Sequence, residues 1–342
     1  MSPPVTIRTL TDGGQTSPEV AAQVAAFLDE AKRSLDLAQY DFDLGPATAA
    51  IIGDAVRRAH DRGVHVRLVY NVDHRNPIPV PPPPSPDETL IASLPLEAKP
   101  IAGVPDLMHH KYVIRDEAAV WTGSTNWTDD SWSHQENVIA IVESSAVAAD
   151  FRRNFEQLIT ADAVSETGAV QPRWHDGVRS WFTPKHGDDI SHRIAQSIAH
   201  AQRRIRLCSP VITTGPVLAA LAHAVAAKRI DVAGCVDETQ VRGVAYQWRQ
   251  EGKSWKLPLL SRVAAGAFAA KPSTPYGTGT LHDFMHAKVT IVDDTVFVGS
   301  FNLSRSGERN AENVLELEDA AIADRLAAYV DEVRARYPAL TF

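Results

Sequence analysis

Apolar residues recur at helical spacing through Val20, Val24, Phe27 and Leu28. They follow Ser17-Pro18-Glu19, where Ser is a favoured N-cap and Pro a favoured first helical residue, so a helix is predicted to run to about Arg33. A strand-like run, Leu35-Asp-Leu-Ala-Gln-Tyr40, comes next, then a turn at Gly45-Pro46, a helix from Ile51 to His60 and a second strand from Val64 to Tyr70. The same order returns later: a helix from about Ile190 to Gln202, a strand Ile205 to Cys208, Gly215-Pro216, a helix Leu218 to Ala227 and a strand Ile230 to Cys235. This alternation predicts an α/β protein of two similar α/β/α halves, each a mixed sheet flanked by helices and related by pseudo-two-fold symmetry. The boundary is expected between Val164 and Arg173, giving halves 1–168 and 169–342. The proline-rich stretch from Asn76 to Pro86 fits neither copy; it reads as an extended linker, with a lid as the alternative.

Composition narrows the class. With 44% hydrophobic and 22% charged residues in 342, the chain has the make-up of a soluble globular protein. Its opening, Met-Ser-Pro-Pro-Val-Thr-Ile-Arg, lacks the basic and apolar regions of a signal peptide, and no apolar run reaches membrane-spanning length, so a cytoplasmic protein is expected. Cys208 and Cys235 both lie in apolar strand-like runs and are expected to be buried free thiols, which speaks against a disulfide framework or a cysteine-based metal site. A formal charge of -8 gives no global attraction for nucleic acid and leaves only a local basic cleft to provide one.

Each half also carries a polar motif on a strand-turn-strand pattern. The first is Met108-His109-His110-Lys111, then Asp116 and Gly123-Ser124-Thr125-Asn126; the second is Met285-His286-Ala287-Lys288, then Asp293 and Gly299-Ser300-Phe301-Asn302. Residues two apart on a strand share a face, so His109 projects with Lys111 and His286 with Lys288, while His110 points away. Hairpin turns near Asp116 and Asp293 bring Gly-Ser-x-Asn back beside the His and Lys. The turn residues Asp116 and Asp293 are expected to bind backbone; the second copy is one residue shorter before its Gly, which leaves Asp294 as an alternative to Asp293. Ser124 and Ser300 are candidates either to cap the loop or to touch phosphate. Trp127, Trp132, Met108, Met285 and Phe284 are expected to be packing residues.

These two motifs resemble the HxKx4D and GSxN signature of the phospholipase D superfamily, and with the repeated α/β order the resemblance covers nearly the whole chain. It implies a phosphodiesterase that works through a covalent phosphohistidine, with His109 as nucleophile and His286 as general acid, a ranking that the sequence repeat itself does not supply. Lys111, Lys288, Asn126, Asn302, Ser124 and Ser300 are then the phosphate-binding set, and Gly123 and Gly299 support the motif. The family places an acidic residue after each motif to orient a catalytic histidine, which by resemblance assigns that role to Glu136 and Glu312. Neither metal nor cofactor is expected, since the lysines supply positive charge. Both copies lie in one chain, so a monomer suffices.

The substrate is less defined. A cardiolipin synthase is expected to carry transmembrane segments, and a non-specific nuclease a basic, aromatic-lined groove, whereas Asp106, Glu117, Asp129, Asp130, Asp283 and Glu308 surround these motifs. A phospholipid headgroup or small phosphodiester is therefore the preferred substrate, with hydrolysis and transfer both open. Endonuclease action on DNA or RNA is the alternative, and a non-catalytic binding scaffold, which two intact motifs argue against, is the third reading.

Overall fold

Strong local signals start most elements of the chain, seen here in a computed structural model that describes residues 4–73, 86–277 and 281–341. Residues 76–85 of the proline-rich stretch, and the question of a lid there, lie outside the described residues. The first half runs β1 (Val5–Leu10), α1 (Ser17–Asp29), β2 (Ser34–Gln39), β3 (Phe42–Asp43), α2 (Pro46–Asp61), β4 (His65–Val72), α3 (Glu88–Ala92), β5 (Glu97–Ala102), β6 (Lys111–Arg115), β7 (Ala119–Gly123), β8 (Trp127–Thr128), α4 (Asp129–Ser133), β9 (Asn137–Glu143) and α5 (Ser145–Thr160). The second runs β10 (Trp174–His175), β11 (Val178–Phe182), α6 (Gly187–His200), β12 (Arg204–Ser209), α7 (Gly215–Ala227), β13 (Asp231–Asp237), α8 (Glu238–Gln250), α9 (Leu257–Ala264), β14 (Ala267–Lys271), β15 (Val289–Val292), β16 (Thr295–Gly299), α10 (Arg305–Arg309), β17 (Asn313–Glu318) and α11 (Ala320–Arg336).

Two local details differ from the sequence expectation. Helix α1 is capped by Thr16 rather than Ser17, because Thr16 and Glu19 form a reciprocal capping box. Gly45-Pro46 and Gly215-Pro216 are not turns ahead of their helices but open them, since the proline ring presets the helical φ where no amide hydrogen is needed.

The strand orders are β1-β9-β7-β6-β2-β4-β5 and β10-β11-β17-β16-β15-β12-β13-β14, so apart from the extra β10 the two sheets repeat one topology. Within each, three strands are parallel (β2, β4, β5 and β12, β13, β14) and the rest antiparallel. Cys208 and Cys235 are cross-strand partners on β12 and β13, buried and unbridged.

One buried cluster belongs to the first half and includes Val20, Leu28, Ile52 and Val56 from α1 and α2; another belongs to the second and includes Ile190, Ile194, Leu218 and Leu221 from α6 and α7. A third is common to both. It joins Ile114, Val120 and Val142 of the first sheet to Val289, Ile291 and Leu315 of the second, with Phe151 and Phe155 of α5 and Leu326 and Val330 of α11. Separating the halves would expose this apolar surface at roughly 25 cal/mol per Å². We therefore expect one cooperative unfolding transition for the whole chain in calorimetry, and aggregation of residues 1–168 or 169–342 expressed alone. Two resolved transitions, or a soluble cooperative half, would contradict this account of the common core.

Candidate active site

The parallel strands β2 and β12 end at one cavity, which Tyr40 and Asp41 line after the first and Pro210 and Val211 after the second. At the equivalent ends of β4 and β13, Asn71 Oδ1 accepts the amide of Met108 at 3.0 Å and Asp237 Oδ2 that of Met285 at 3.2 Å. Each anchor fixes the residue that precedes a histidine. The segments then cross to the other half: His109 donates its amide to Ala311 O at 2.9 Å, and His286 to Glu136 O at 3.2 Å. Both histidines thus meet in a cavity of about 1090 Å³ lined by the two halves together.

The positions of Gly-Ser-x-Asn follow from backbone contact. A Cβ at Gly123 would lie 2.2 Å from Val138 O and one at Gly299 2.1 Å from Asn313 O, so only glycine lets these strands approach so closely. Asn126 and Asn302 line the cavity, and the Oδ1 of each is buried without a protein partner. Ser124 and Ser300 do not line it; their hydroxyls accept the amides of Val138 and Asn313, each at 3.0 Å, and so secure the loops. Lys111 and Lys288 are buried below the floor, donating to His109 O at 2.8 Å and His286 O at 2.6 Å, which leaves each ammonium two further hydrogens. His110 points away, as alternation predicts, with Nδ1 3.3 Å from Asn313 Oδ1. Trp127 and Trp132 are core residues packed with Phe42.

The pseudo-symmetry fails at one position. Glu312 Oε2 lies 2.8 Å from His109 Nδ1, as the resemblance implied. The carboxylate of Glu136 touches neither histidine; only the residue's backbone oxygen meets His286. Its carboxylate meets Lys271 Nζ at 2.8 Å, the hydroxyl of Tyr337 and the amide of Asp12 at 3.4 Å. Strand register explains the correction: Gly123 pairs with Ile139 but Gly299 with Val314, so the return loop of the first half is one residue longer. Glu136 is consequently equivalent to Ala311, and Asn137 to Glu312. A one-residue shift turns a side chain to the opposite face, so counting from Asn126 and Asn302 points to the wrong residue. Asn137 Oδ1 lies 3.3 Å from His286 Nδ1 in place of a carboxylate.

Sequence reasoning also missed Tyr40 and Asp41, which follow β2. The Tyr40 ring lies 4.5 Å from that of His109 and 4.6 Å from Lys111 Nζ. Their signal was their place at the carboxyl end of a parallel strand, where α/β sheets bind ligands. Burial dominates the titration of the whole group. It raises Asp41 to about 8 and Glu312 to about 8, in both cases against the charge of Lys111, and lowers Lys111 to about 7 against Glu312 and Asp41. Both histidines are pushed below the ordinary imidazole range, first by burial and then by the two lysines.

Two sheets of one topology, each setting a histidine in the wall of a common cavity with a lysine buried behind it, define a fold of the phospholipase D type. The chain belongs to the family described as cardiolipin synthase, PLD-like domain, which it matches over residues 24–159 and 194–334. It is 28% identical to the human mitochondrial cardiolipin hydrolase over 128 residues, 37% of this chain and 46% of that protein. The chain spans about half the length of the curated relatives it matches. Its fold resembles that of phosphatidylserine synthase from Haemophilus influenzae, with a TM-score of 0.64 at 12% identity over 96% of this chain and 86% of the other. Polyphosphate kinase from Porphyromonas gingivalis gives 0.61 at 11% identity over 97% of this chain and 47% of the kinase. At such identities these likenesses are of fold. Among the described residues, no helix is long and apolar enough to cross a membrane.

Asp116 and Asp293 are scaffold residues. Asp116 accepts the amides of Lys32, Arg33 and Ser34 at 2.9, 2.7 and 3.0 Å; Asp293 accepts those of Gln202, Arg203 and Arg204 at 2.8, 2.8 and 3.1 Å. Asp294 is the exposed partner of Arg203 at 2.6 Å, so Asp293 is the counterpart of Asp116. Partial burial raises both scaffold carboxyls, but the combined backbone donors outweigh it and hold them below the usual range. Their contribution is therefore present above the unfolded value near 3.9 and is lost as pH falls through the lower folded value. Asp116→Ala or Asp293→Ala should each cost about 1.5–3 kcal/mol in urea unfolding at neutral pH, and Asp294→Ala less than about 1 kcal/mol. Equal costs at Asp293 and Asp294 would reverse the assignment.

Proposed function

We propose that this cavity hydrolyses phosphodiesters, with His109 as nucleophile, His286 as general acid and then base, and a phospholipid headgroup or other small diester as substrate. The observation that carries the reading is the unequal support of the two imidazoles. Glu312 engages Nδ1 of His109, which leaves Nε2 to attack phosphorus and stabilises the positive charge that develops on the ring. A P–N bond forms and the P–O bond to the leaving alcohol breaks as His286 gives that oxygen a proton. Water then loses a proton to His286, attacks phosphorus and releases His109. His286 has only the amide of Asn137 behind it, which makes its protonated form the stronger acid. Burial disfavours charge on both rings, whereas a bound diester brings a negative charge that raises both imidazoles and both lysines. The hydrogens free on Lys111 and Lys288, with the amides of Asn126 and Asn302, suit the non-bridging oxygens. Since both halves contribute, a monomer is complete.

With bis(p-nitrophenyl) phosphate in EDTA, we expect nitrophenolate release with a bell-shaped pH-rate profile. His109→Asn should remove turnover and the covalent intermediate together. His286→Asn should accumulate phosphohistidine on the peptide containing His109; accumulation on the peptide containing His286 in the His109→Asn variant reverses the roles. Lys111→Met or Lys288→Met should lower turnover at least about a hundredfold.

The missing carboxylate yields a separate test. Asn137→Asp places a negative charge beside His286, which favours its protonated form, so the basic limb of the profile should move up by about one pH unit or more. An unmoved basic limb in a folded Asn137→Asp protein would separate His286 from the general-acid role.

A further inference from the structure

The two halves repeat one backbone, yet the two ends of the cavity differ in charge. Phe42 pairs with Trp127 in the first half as Ile212 does with Leu303 in the second, which fixes the equivalences around the rim. Asp41 corresponds to Val211, Asp43 to Thr213, Asp129 to Arg305 and Asp130 to Ser306. Each acidic lining residue of the first half therefore faces, across the pseudo-two-fold, an apolar, neutral or basic one.

We propose that the acidic end, formed by Asp41, Asp43, Asp129 and Asp130 with Tyr40 and Tyr276, is a subsite for an alcohol that carries an ammonium group. This deepens the proposed diester chemistry and rests on it for the identity of the phosphate site. Among the described residues, none of the four aspartates takes part in an ion pair. Asp41 is 3% exposed, lines the cavity and keeps Oδ1 without a hydrogen-bond partner, while its Oδ2 has only a 3.5 Å contact from Asn126. An unpartnered acceptor buried in the wall of a cavity is costly unless a further group completes it. The start of α4 accounts for Asp129 and Asp130 as acidic residues of a first helical turn, but Asp41 and Asp43 lie on no helix. Burial, then Asp87, Asp129 and Asp130, raises Asp43; burial, then Asp43, Asp130 and Asp41, raises Tyr276, so these groups feel one another across the space. A cation relieves that repulsion, and a quaternary ammonium also suits the faces of Tyr40 and Tyr276.

The test is a comparison of three monoester ligands by calorimetry: phosphocholine, its uncharged isostere in which tert-butyl replaces trimethylammonium, and glycerol phosphate. None requires turnover, and each is free to seat its arm at either end. Phosphocholine should bind at least about tenfold more tightly than the isostere, a ratio that high salt diminishes. The ratio should collapse toward one in Asp43→Asn and in Asp129→Asn. Equal affinity for phosphocholine and the isostere, tighter binding of glycerol phosphate, or an undiminished ratio in folded variants overturns the subsite. If the variants do not fold, the ratio and its salt dependence in the unaltered chain decide. Absence of diester turnover alongside the expected ratio would count against the reaction and leave the subsite standing.

Discussion

Each of the two cavity histidines is held by the other half's backbone. The amide of His109 bonds to Ala311 and that of His286 to Glu136, while Ala311 and Glu136 return amide bonds to Leu107 and Phe284. These two short parallel bridges cross the pseudo-two-fold, and everything chemical in the cavity depends on them. They bring together side chains that lie far apart in sequence, and they position each imidazole against the strand that supplies its partner. Their geometry is rigid because the residues before them are tied to Asn71 and Asp237, at the ends of parallel strands whose cores are packed on both faces. The common apolar cluster serves the same end: motion of one sheet relative to the other would shear both bridges at once.

A duplicated fold can then make its two copies differ by very small changes. One added residue between Gly123 and β9 rotates Glu136 out of the site and Asn137 into it. The displaced carboxylate is not left unpaired in the interior. Lys271, buried itself, reaches it, as do Tyr337 and the amide of Asp12, so the first half keeps a satisfied buried acid where the second has Ala311. The same register shift that removes a carboxylate from His286 therefore creates a structural ion pair between Glu136, just before β9, and Lys271 of β14, joined by a hydrogen bond from Tyr337 just after α11.

Much of this was legible in the sequence. The repeated helix and strand order gave both halves, since periods of about 3.6 and 2 survive in any amphipathic element. Strand alternation separated His109 and Lys111 from His110, and the turn preference of aspartate anticipated Asp116 and Asp293. Glu136 was misread because residue counting across a loop carries no information on register, which hydrogen bonding between β7 and β9 determines. Tyr40 and Asp41 were missed for a different reason: they belong to no motif, and only the packing of β2 beside β6 sets them next to Lys111. Ser124 and Ser300 lay between two readings that sequence could not rank, and their bonds to strand amides are tertiary facts.

The burial of so many ionisable groups has a physical logic. His109, His286, Lys111, Lys288 and Glu312 are each less than a tenth exposed, and burial opposes charge on all of them. Such a cluster would be a poor way to stabilise a fold, because desolvation offsets most of what the charges gain from one another. It is a good way to respond to an anion. In water the same lysines would already be solvated and a diester would gain little from them; in this low-dielectric floor the arriving negative charge changes the protonation balance of every group at once. Burial holds charge in check on both rings, and an anion entering the cavity would supply the counter-charge that raises both imidazoles and both lysines together.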